Sequence, residues 1–408
     1  MRYKTAPFGE IPSHWQIKSI EEIAEVVTDY VANGSFASLK NNVQYLSEPD
    51  YAVLIRLVDF NKSFSGDFVY INKSSYDFLK KSQLFGGEII ISNVGANVGT
   101  VFKTPNLNMK MALAPNSVML RTKYCDDFYF HWLKSRYGQH MISAIISGSA
   151  QPKFNKTEFR KMLVPVPPIE EQREIANILN SYDKKIQLNK QINHHLEEMI
   201  DAIFLRYIES SKQLEVKKLG ELFDTKTATF NPAKASEEKV NHFSLPAFDA
   251  SQYPLVDETN NIKSNKNIIK EYSVLFSKLN PSTKRVWVPF TNQDLISVCS
   301  TEFVSLAGKD KIEQAILFAI INSQIFQDYF VAHATGTTNS RQRTKPSVAY
   351  EFEIPYNKNL LYQLGRTLSP LLTQLEDNLH QIHKITQIRN ELLPKLLSGE
   401  LSVTQAAK

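Results

Sequence analysis

Cysteine is almost missing from this 408-residue chain: Cys125 and Cys299 are the two present. They have no metal-ligand spacing and make no disulfide framework, so the expectation is two reduced, buried thiols in a cytoplasmic protein. No apolar run approaches the ~20 residues that a membrane helix needs. Met1-Arg2-Tyr3-Lys4 is followed by no hydrophobic stretch, so no signal peptide is expected. Glycine is sparse as well, and no glycine-rich loop follows a strand in the manner of a dinucleotide or S-adenosylmethionine site. The segment Gly95-Ala96-Asn97-Val98-Gly99 lacks the lysine and the spacing of a phosphate loop and reads as a strand-to-strand turn. There is no Asn/Asp-Pro-Pro-aromatic tetrapeptide, the pattern with which amino-methyltransferases hold a flipped base. The nine histidines are scattered, and acidic pairs such as Asp126-Asp127 and Asp257-Glu258 are what chance supplies among 42 acids. These absences exclude the common catalytic classes, and the chain is expected to do no chemistry alone.

What is present is a repeat. Hydrophobic residues make up 42% of the chain and charged residues 22%, as in a globular protein with real cores. The landmarks fall twice in the same order. Trp15-Gln16-Ile17-Lys18 through Ile23 is echoed by Leu214-Glu215-Val216-Lys217 through Leu222. Gly148-Ser149-Ala150-Gln151 is echoed by Gly336-Thr337-Thr338-Asn339. The expected layout is a globular block at 1–167, a long helix at 168–212, a second block at 213–357, a second long helix at 358–401 and a tail at 402–408. Block–helix–block–helix offers two similar faces held apart, which suits a bipartite target better than a single cleft. Net charge is +5, with the excess mostly in the first block, which permits nucleic-acid binding without demanding it.

The helices carry a heptad pattern. Pro167-Pro168 followed by Glu170, Glu171 and Glu174 is a helix-start signal. From there Ile175, Leu179, Tyr182, Ile186, Asn189, Asn193, Leu196, Ile200, Ile203 and Tyr207 alternate steps of four and three. Leu368, Leu372, Leu375, Leu379 and Ile382 repeat the steps; the seam weakens at Thr386 and Arg389 and resumes at Leu393 and Leu396. A single seam needs a partner, and an antiparallel coiled coil between the two helices is expected. Asn189 and Asn193 either sit in that seam and penalise slipped registers, or yield their places to Leu188 and Ile192. Pro394 is expected to kink or detach the last turn, Lys395–Ser398, and Gly399 to stop the helix.

Both blocks read as α+β, a barrel-like sheet with peripheral helices. Ile89-Ile90-Ile91 and Val274-Leu275-Phe276 are buried strands, each leading into a polar turn. Asp126–Ile146 and Lys311–His333 read as the helix before each glycine-containing loop. Contact residues are sought in these turns and loops: Asn97, Gln151, Lys153, Asn155 and Lys156 in the first block; Lys284, Arg285, Asn339, Arg341, Arg343 and Lys345 in the second. Arg and Lys pair with phosphates or guanine edges, and Asn or Gln reads adenine with two hydrogen bonds. The competing reading is a solvated polar loop.

Three motifs carry a resemblance. Gly9-Glu10-Ile11-Pro12-Ser13-His14-Trp15 with Ile20–Ile23, Val166-Pro167-Pro168-Ile169-Glu170-Glu171-Gln172-Arg173-Glu174-Ile175-Ala176, and Leu392-Leu393-Pro394-Lys395-Leu396-Leu397-Ser398-Gly399-Glu400-Leu401 resemble the opening, the central helix start and the C-terminal ending of type I restriction–modification specificity subunits. The second copy departs from this, with Glu353-Ile354-Pro355-Tyr356 in place of the fuller helix start. The resemblance implies two tandem target recognition domains, each reading half of a split double-stranded DNA sequence. It implies helices that form the spacer and dock two methyltransferase (M) subunits, and restriction/translocase (R) subunits that join for cleavage. S-adenosylmethionine, ATP and Mg would then belong to those partners, with no cofactor in this chain. A recognition region of a self-sufficient restriction–methylation enzyme and a two-lobed protein adaptor are the competing readings.

Overall fold

The computed structural model describes residues 2–148, 150–289, 294–336 and 342–402. The chain divides into two compact units, Met1–Asp183 with Gln387–Lys408, and Lys184–Thr386. Sheet and helix are mixed in both, and two helices stand out by length: Ile169–Ser210 with 42 residues and Lys358–Leu397 with 40.

In the first unit, strands Ile89–Ser92, Val101–Lys103, Ser117–Thr122 and Ala24–Asp29 form an antiparallel sheet. Strands Tyr45–Leu46, Val69–Ile71, Ala52–Ile55, Lys110–Leu113 and Gln83–Leu84 form a second, with Ala52–Ile55 and Lys110–Leu113 parallel at its centre. These are two separate sheets, not the barrel-like wall expected from sequence. The reason lies in the uninterrupted apolar strands. Alternate side chains of a strand point to opposite faces, so Ile89-Ile90-Ile91 needs cover on both. Ile89 and Ile91 join Val118 and Leu120 in a core with Phe128, Trp132 and Ile142 of the helices, while Ile90 and Met119 join Val53, Ile55, Met111 and Leu113 of the other sheet.

The second unit repeats this plan. Strands Leu255–Glu258, Lys239–Phe243, Ser297–Cys299, Lys266–Ile268 and Thr229–Phe230 form one sheet, again with a parallel pair, Lys239–Phe243 and Ser297–Cys299, inside it. Ser273–Ser277, Val286–Trp287 and Phe303–Ala307 form the other, and Val274 and Phe276 face one core while Leu275 faces another. Ser273–Ser277 thus corresponds to Ile89–Ser92, and Phe303–Ala307 to Ser117–Thr122.

Each expected helix ahead of the glycine-containing loop is in fact two. Asp126–Lys134 and Arg136–Ala144 break at Ser135; Lys311–Asn322 and Gln324–Ala332 break at Ser323. Both serines adopt an extended backbone and cap the following helix, accepting from the Gly138 and Phe326 amides, so a local cap outweighs the continuous apolar pattern. The second pair matches a membrane segment in length and composition only, but it bends by 58°, and among the described residues no single helix is long and apolar enough to cross a membrane.

The three motifs of the resemblance meet in the first unit. Trp15 is fully buried and its Nε1 donates to Glu171 in the first turn of the long helix (3.1 Å). Gly399, at φ +69°, lies against Pro12 and Trp15, and Leu396 and Leu397 share a core with Trp15, Ile175 and Leu179. The helix Lys358–Leu397 runs unbroken through Pro394, contrary to the expected detached turn. Proline removes one donor but leaves the carbonyls free, and Pro394 itself accepts from the Ser398 amide (3.1 Å). The expected stop at Gly399 is present, its amide donating to Leu396 (3.2 Å).

In the second unit Asn189 and Asn193 are buried while Leu188 and Ile192 are exposed, which settles their alternative in favour of the asparagines. Asn378 Nδ2 donates to Asn193 Oδ1 (2.8 Å), and Asn189 Nδ2 donates to Gln381 Oε1 (3.3 Å). Leu196, Ile200 and Phe204 share a core with Leu368, Leu372 and Leu375. In the first unit Arg389 donates to Asp183 (2.6 Å), which accounts for the charged position in the seam.

Candidate nucleic-acid interface

Each unit presents a hairpin loop on the same scaffold. In the first, Ser147 and Lys153 exchange backbone hydrogen bonds (2.8 and 2.9 Å), and Gly148 turns the chain at φ +89°. Val94 bridges to Lys153, the Gly95 amide donates to Pro152 (2.9 Å) and the Phe154 amide to Asn93 (3.1 Å). In the second, Thr335 and Arg343 exchange the same pair (2.9 Å each) and Gly336 turns at φ +134°. Leu279 bridges to Arg343, the Asn280 amide donates to Gln342 (2.9 Å) and the Thr344 amide to Lys278 (3.1 Å). Glycine is needed at these turns because a side chain is disfavoured at such φ.

The scaffold brings the turn after the Ile89–Ser92 strand against the hairpin, so Asn97, Gln151 and Lys153 belong to one region and are all exposed. Lys153 forms no ion pair among the described residues. Asn155 and Lys156 have local duties: Asn155 Oδ1 caps the helix Lys156–Lys161 through the Glu158 amide (2.8 Å), and Lys156 pairs with Asp29 (2.9 Å). Beside this hairpin lies a cleft of about 580 Å³ lined by Tyr30, Phe36, Tyr45, Lys40, Asn93 and Asn116. Its aromatic faces and amides offer stacking and base-edge hydrogen bonds side by side.

In the second unit the cations are largely matched. Arg285 grips Asp249 with two hydrogen bonds (2.6 and 2.9 Å). The Lys284 ammonium is pushed down by desolvation, which Glu197 and Asp201 partly oppose. Arg343 donates through Nε and Nη2 to Glu302 (3.2 and 3.1 Å). Lys345 is exposed and sits at the start of the helix Pro346–Tyr350. Asn339 and Arg341 lie outside the described residues.

The acidic pairs serve structure. Asp126 accepts from the Thr122 amide and hydroxyl (2.7 Å each), Asp127 from Asn180 (2.6 Å), and Asp257 meets His242 (2.7 Å). Among the described residues no group of three or more His, Cys, Asp or Glu side chains is placed to hold a metal ion. Sequence reasoning missed Asn116 and Glu302, which sit beside the two hairpins. Each directly precedes a buried strand, and aligning the copies on Ser117–Thr122 and Phe303–Ala307 would have found them.

Residues 12–198 match the family model for the type I restriction modification DNA specificity domain. The chain is 21% identical to the type I restriction enzyme MjaIX specificity subunit of Methanocaldococcus jannaschii, over 99% of this chain and 97% of that protein. The chain is thus similar to a type I restriction enzyme specificity subunit along almost its whole length. A second relative, a putative type I restriction enzyme MjaX specificity subunit from the same organism, is 26% identical over 54% of this chain and 52% of its own length. The fold is also that of the S subunit of a type I restriction–modification system from M. genitalium, with a TM-score of 0.55 and 16% identity over 96% of this chain and 99% of that one. Within the family match lie Trp15, Glu171 and the hairpin at Ser147–Lys153, so the helix-start motif, most of the opening motif and the first candidate interface fall in the matched segment, while the C-terminal motif Leu392–Leu401 lies outside it.

Proposed function

We propose that this chain is the non-catalytic DNA specificity subunit of a type I restriction–modification complex, with each unit's hairpin face reading one half of a bipartite double-stranded site. The observation that carries this reading is the duplicated hairpin: two units of like strand order hold Lys153 and Arg343 at equivalent places. A specificity chain needs two such faces and no catalytic centre of its own.

Lysines and arginines on these faces neutralise phosphates and set orientation, a contribution that weakens with salt. Side chains at the loop tips inspect base edges in the major groove, where all four base pairs differ. A wrong base pair costs about 1–3 kcal/mol. The long helices act as an antiparallel coiled coil that fixes the gap between half-sites. The hydrogen bonds of Asn189 with Gln381 and of Asn193 with Asn378, and that of Asp183 with Arg389, support this pairing because one partner number rises as the other falls. The domains are then recognition domains at 1–167 and 213–357 and helices at 168–212 and 358–401. The helices also dock two methyltransferase subunits, which bring S-adenosylmethionine; restriction/translocase subunits bring ATP and Mg chemistry to the same cytoplasmic complex.

The test is to map adenine methylation in cells that carry this chain with its cognate methyltransferase subunit. One split motif with a fixed gap is expected, and it should vanish when the chain is deleted. Methylation of a continuous motif, or methyl transfer by the purified chain alone, would overturn the reading.

A further inference from the structure

The two hairpins differ at one equivalent place. In the second unit the Lys278 amide donates to the Glu302 carbonyl (3.0 Å) and the next residue, Leu279, bridges to Arg343. In the first, the Asn93 amide donates to the Asn116 carbonyl (3.0 Å) and Val94 bridges to Lys153. Glu302 therefore stands where the first unit has Asn116, and Arg343 where it has Lys153. Asn116 is exposed, with its backbone held at φ +65°, beside a lysine that has no ion pair among the described residues. Arg343 is exposed too, and its guanidinium is held in plane by Nε and Nη2 hydrogen bonds to Glu302. The difference is one of chemistry and not only of charge: a neutral amide with a point-like cation against a carboxylate with a forked cation.

Resting on the proposed function, we propose that these two pairs are base-discriminating positions, with Arg343 and Glu302 selecting a G·C pair and Asn116 selecting an A·T pair. A guanidinium fork matches guanine O6 and N7, and a carboxylate accepts from cytosine N4, so one Arg–Glu pair meets both edges of a single G·C pair in the major groove. The pair joins an exposed arginine to a half-buried glutamate and is open to solvent on the Arg343 side, so Arg343 can exchange Glu302 for guanine while Glu302 turns to the cytosine. Because the pair is neutral as a unit, it adds discrimination more than phosphate affinity. Asn116 offers the donor–acceptor edge that matches adenine N6 and N7, while Lys153 adds net charge beside it.

The experiment maps adenine methylation for the full chain with its methyltransferase subunits, comparing wild type with Glu302→Gln, Arg343→Gln, Arg343→Lys and the transplant Asn116→Glu/Lys153→Arg. Each second-unit variant should relax one G·C requirement in one half-site by roughly tenfold or more and leave the other half-site unchanged. Arg343→Lys keeps the charge and loses the fork, so it should relax the same pair while overall methylation persists. The transplant should shift one position of the other half-site from A·T toward G·C. Unchanged motifs in Arg343→Lys and Glu302→Gln would overturn the inference and leave the proposed function standing. A wild-type chain that directs no bipartite motif would overturn both.

Discussion

Gly399 shows how much a single residue can carry here. A Cβ at this position would lie 2.3 Å from Pro12 Cγ and 3.1 Å from Trp15 Cζ2, at a φ of +69°. Gly399→Ala should therefore cost about 2 kcal/mol or more, from left-handed strain and overpacking together. Chemical denaturation of wild type and variant would check this; an unchanged midpoint would contradict the close approach. His131 makes a second residue-scale prediction. Burial holds its imidazole below the ordinary value, opposed by the hydrogen bond to Asn180 (2.9 Å) and by Asp183; Lys134 and Lys103 face it as well and push the same way as burial. With the folded value depressed, the unfolded chain binds more protons below the ordinary histidine range, so this stability is present above that range and is lost as pH falls through it. Denaturation midpoints should drop on the acid side, and His131→Gln should flatten that slope. A variant with the same slope as wild type would remove His131 as the cause. At this scale the sequence was informative about residue type and poor about duty. Asn155, Lys156 and Arg285 have the chemistry of DNA contacts, yet they are engaged with Glu158, Asp29 and Asp249. Those partners are distant in the chain or belong to caps, and a residue's own neighbours do not reveal them.

Among the elements, the long helices were the most legible, because a heptad seam with a proline and acidic start is a local and redundant signal. The seam residues Ile175, Leu179, Leu368 and Leu372 are all buried. Asn378, also buried, escaped notice because Leu379 beside it continues the apolar count. The Asn193–Asn378 contact yields a prediction about pairing. Asn378→Leu alone leaves buried Asn193 Oδ1 without this donor and should cost about 1–3 kcal/mol. Asn193→Leu/Asn378→Leu should recover most of that loss, since neither buried amide is then left without the other and only the exposed Gln374, which donates to Asn378 Oδ1 (3.0 Å), must turn to solvent. A double-mutant cycle with no coupling would show that the two amides do not act together. The helical hairpins broken at Ser135 and Ser323 were missed for the opposite reason. Their apolar patterns continue across the break, and one capping serine in the middle of such a run is easily taken for an exposed helical position.

For the whole molecule, the duplication was readable in the sequence as landmarks in order, but the sheets were not. Strand order depends on pairings between distant segments, such as the parallel pair Ala52–Ile55 with Lys110–Leu113, and no local pattern encodes them. The two separate sheets of each unit follow only once both faces of the apolar strands are seen to need cover. The account stands on the long helices acting as the separator between two reading faces. Its most direct test inserts one heptad into each helix, between Lys184 and Lys185 and between Thr386 and Gln387, and maps adenine methylation with the cognate methyltransferase present. Seven residues add about 10 Å of helix, roughly three base pairs of DNA. The account predicts the same two half-sites with a gap longer by about that amount. Altered half-sites, or an unchanged gap with full methylation, would contradict it.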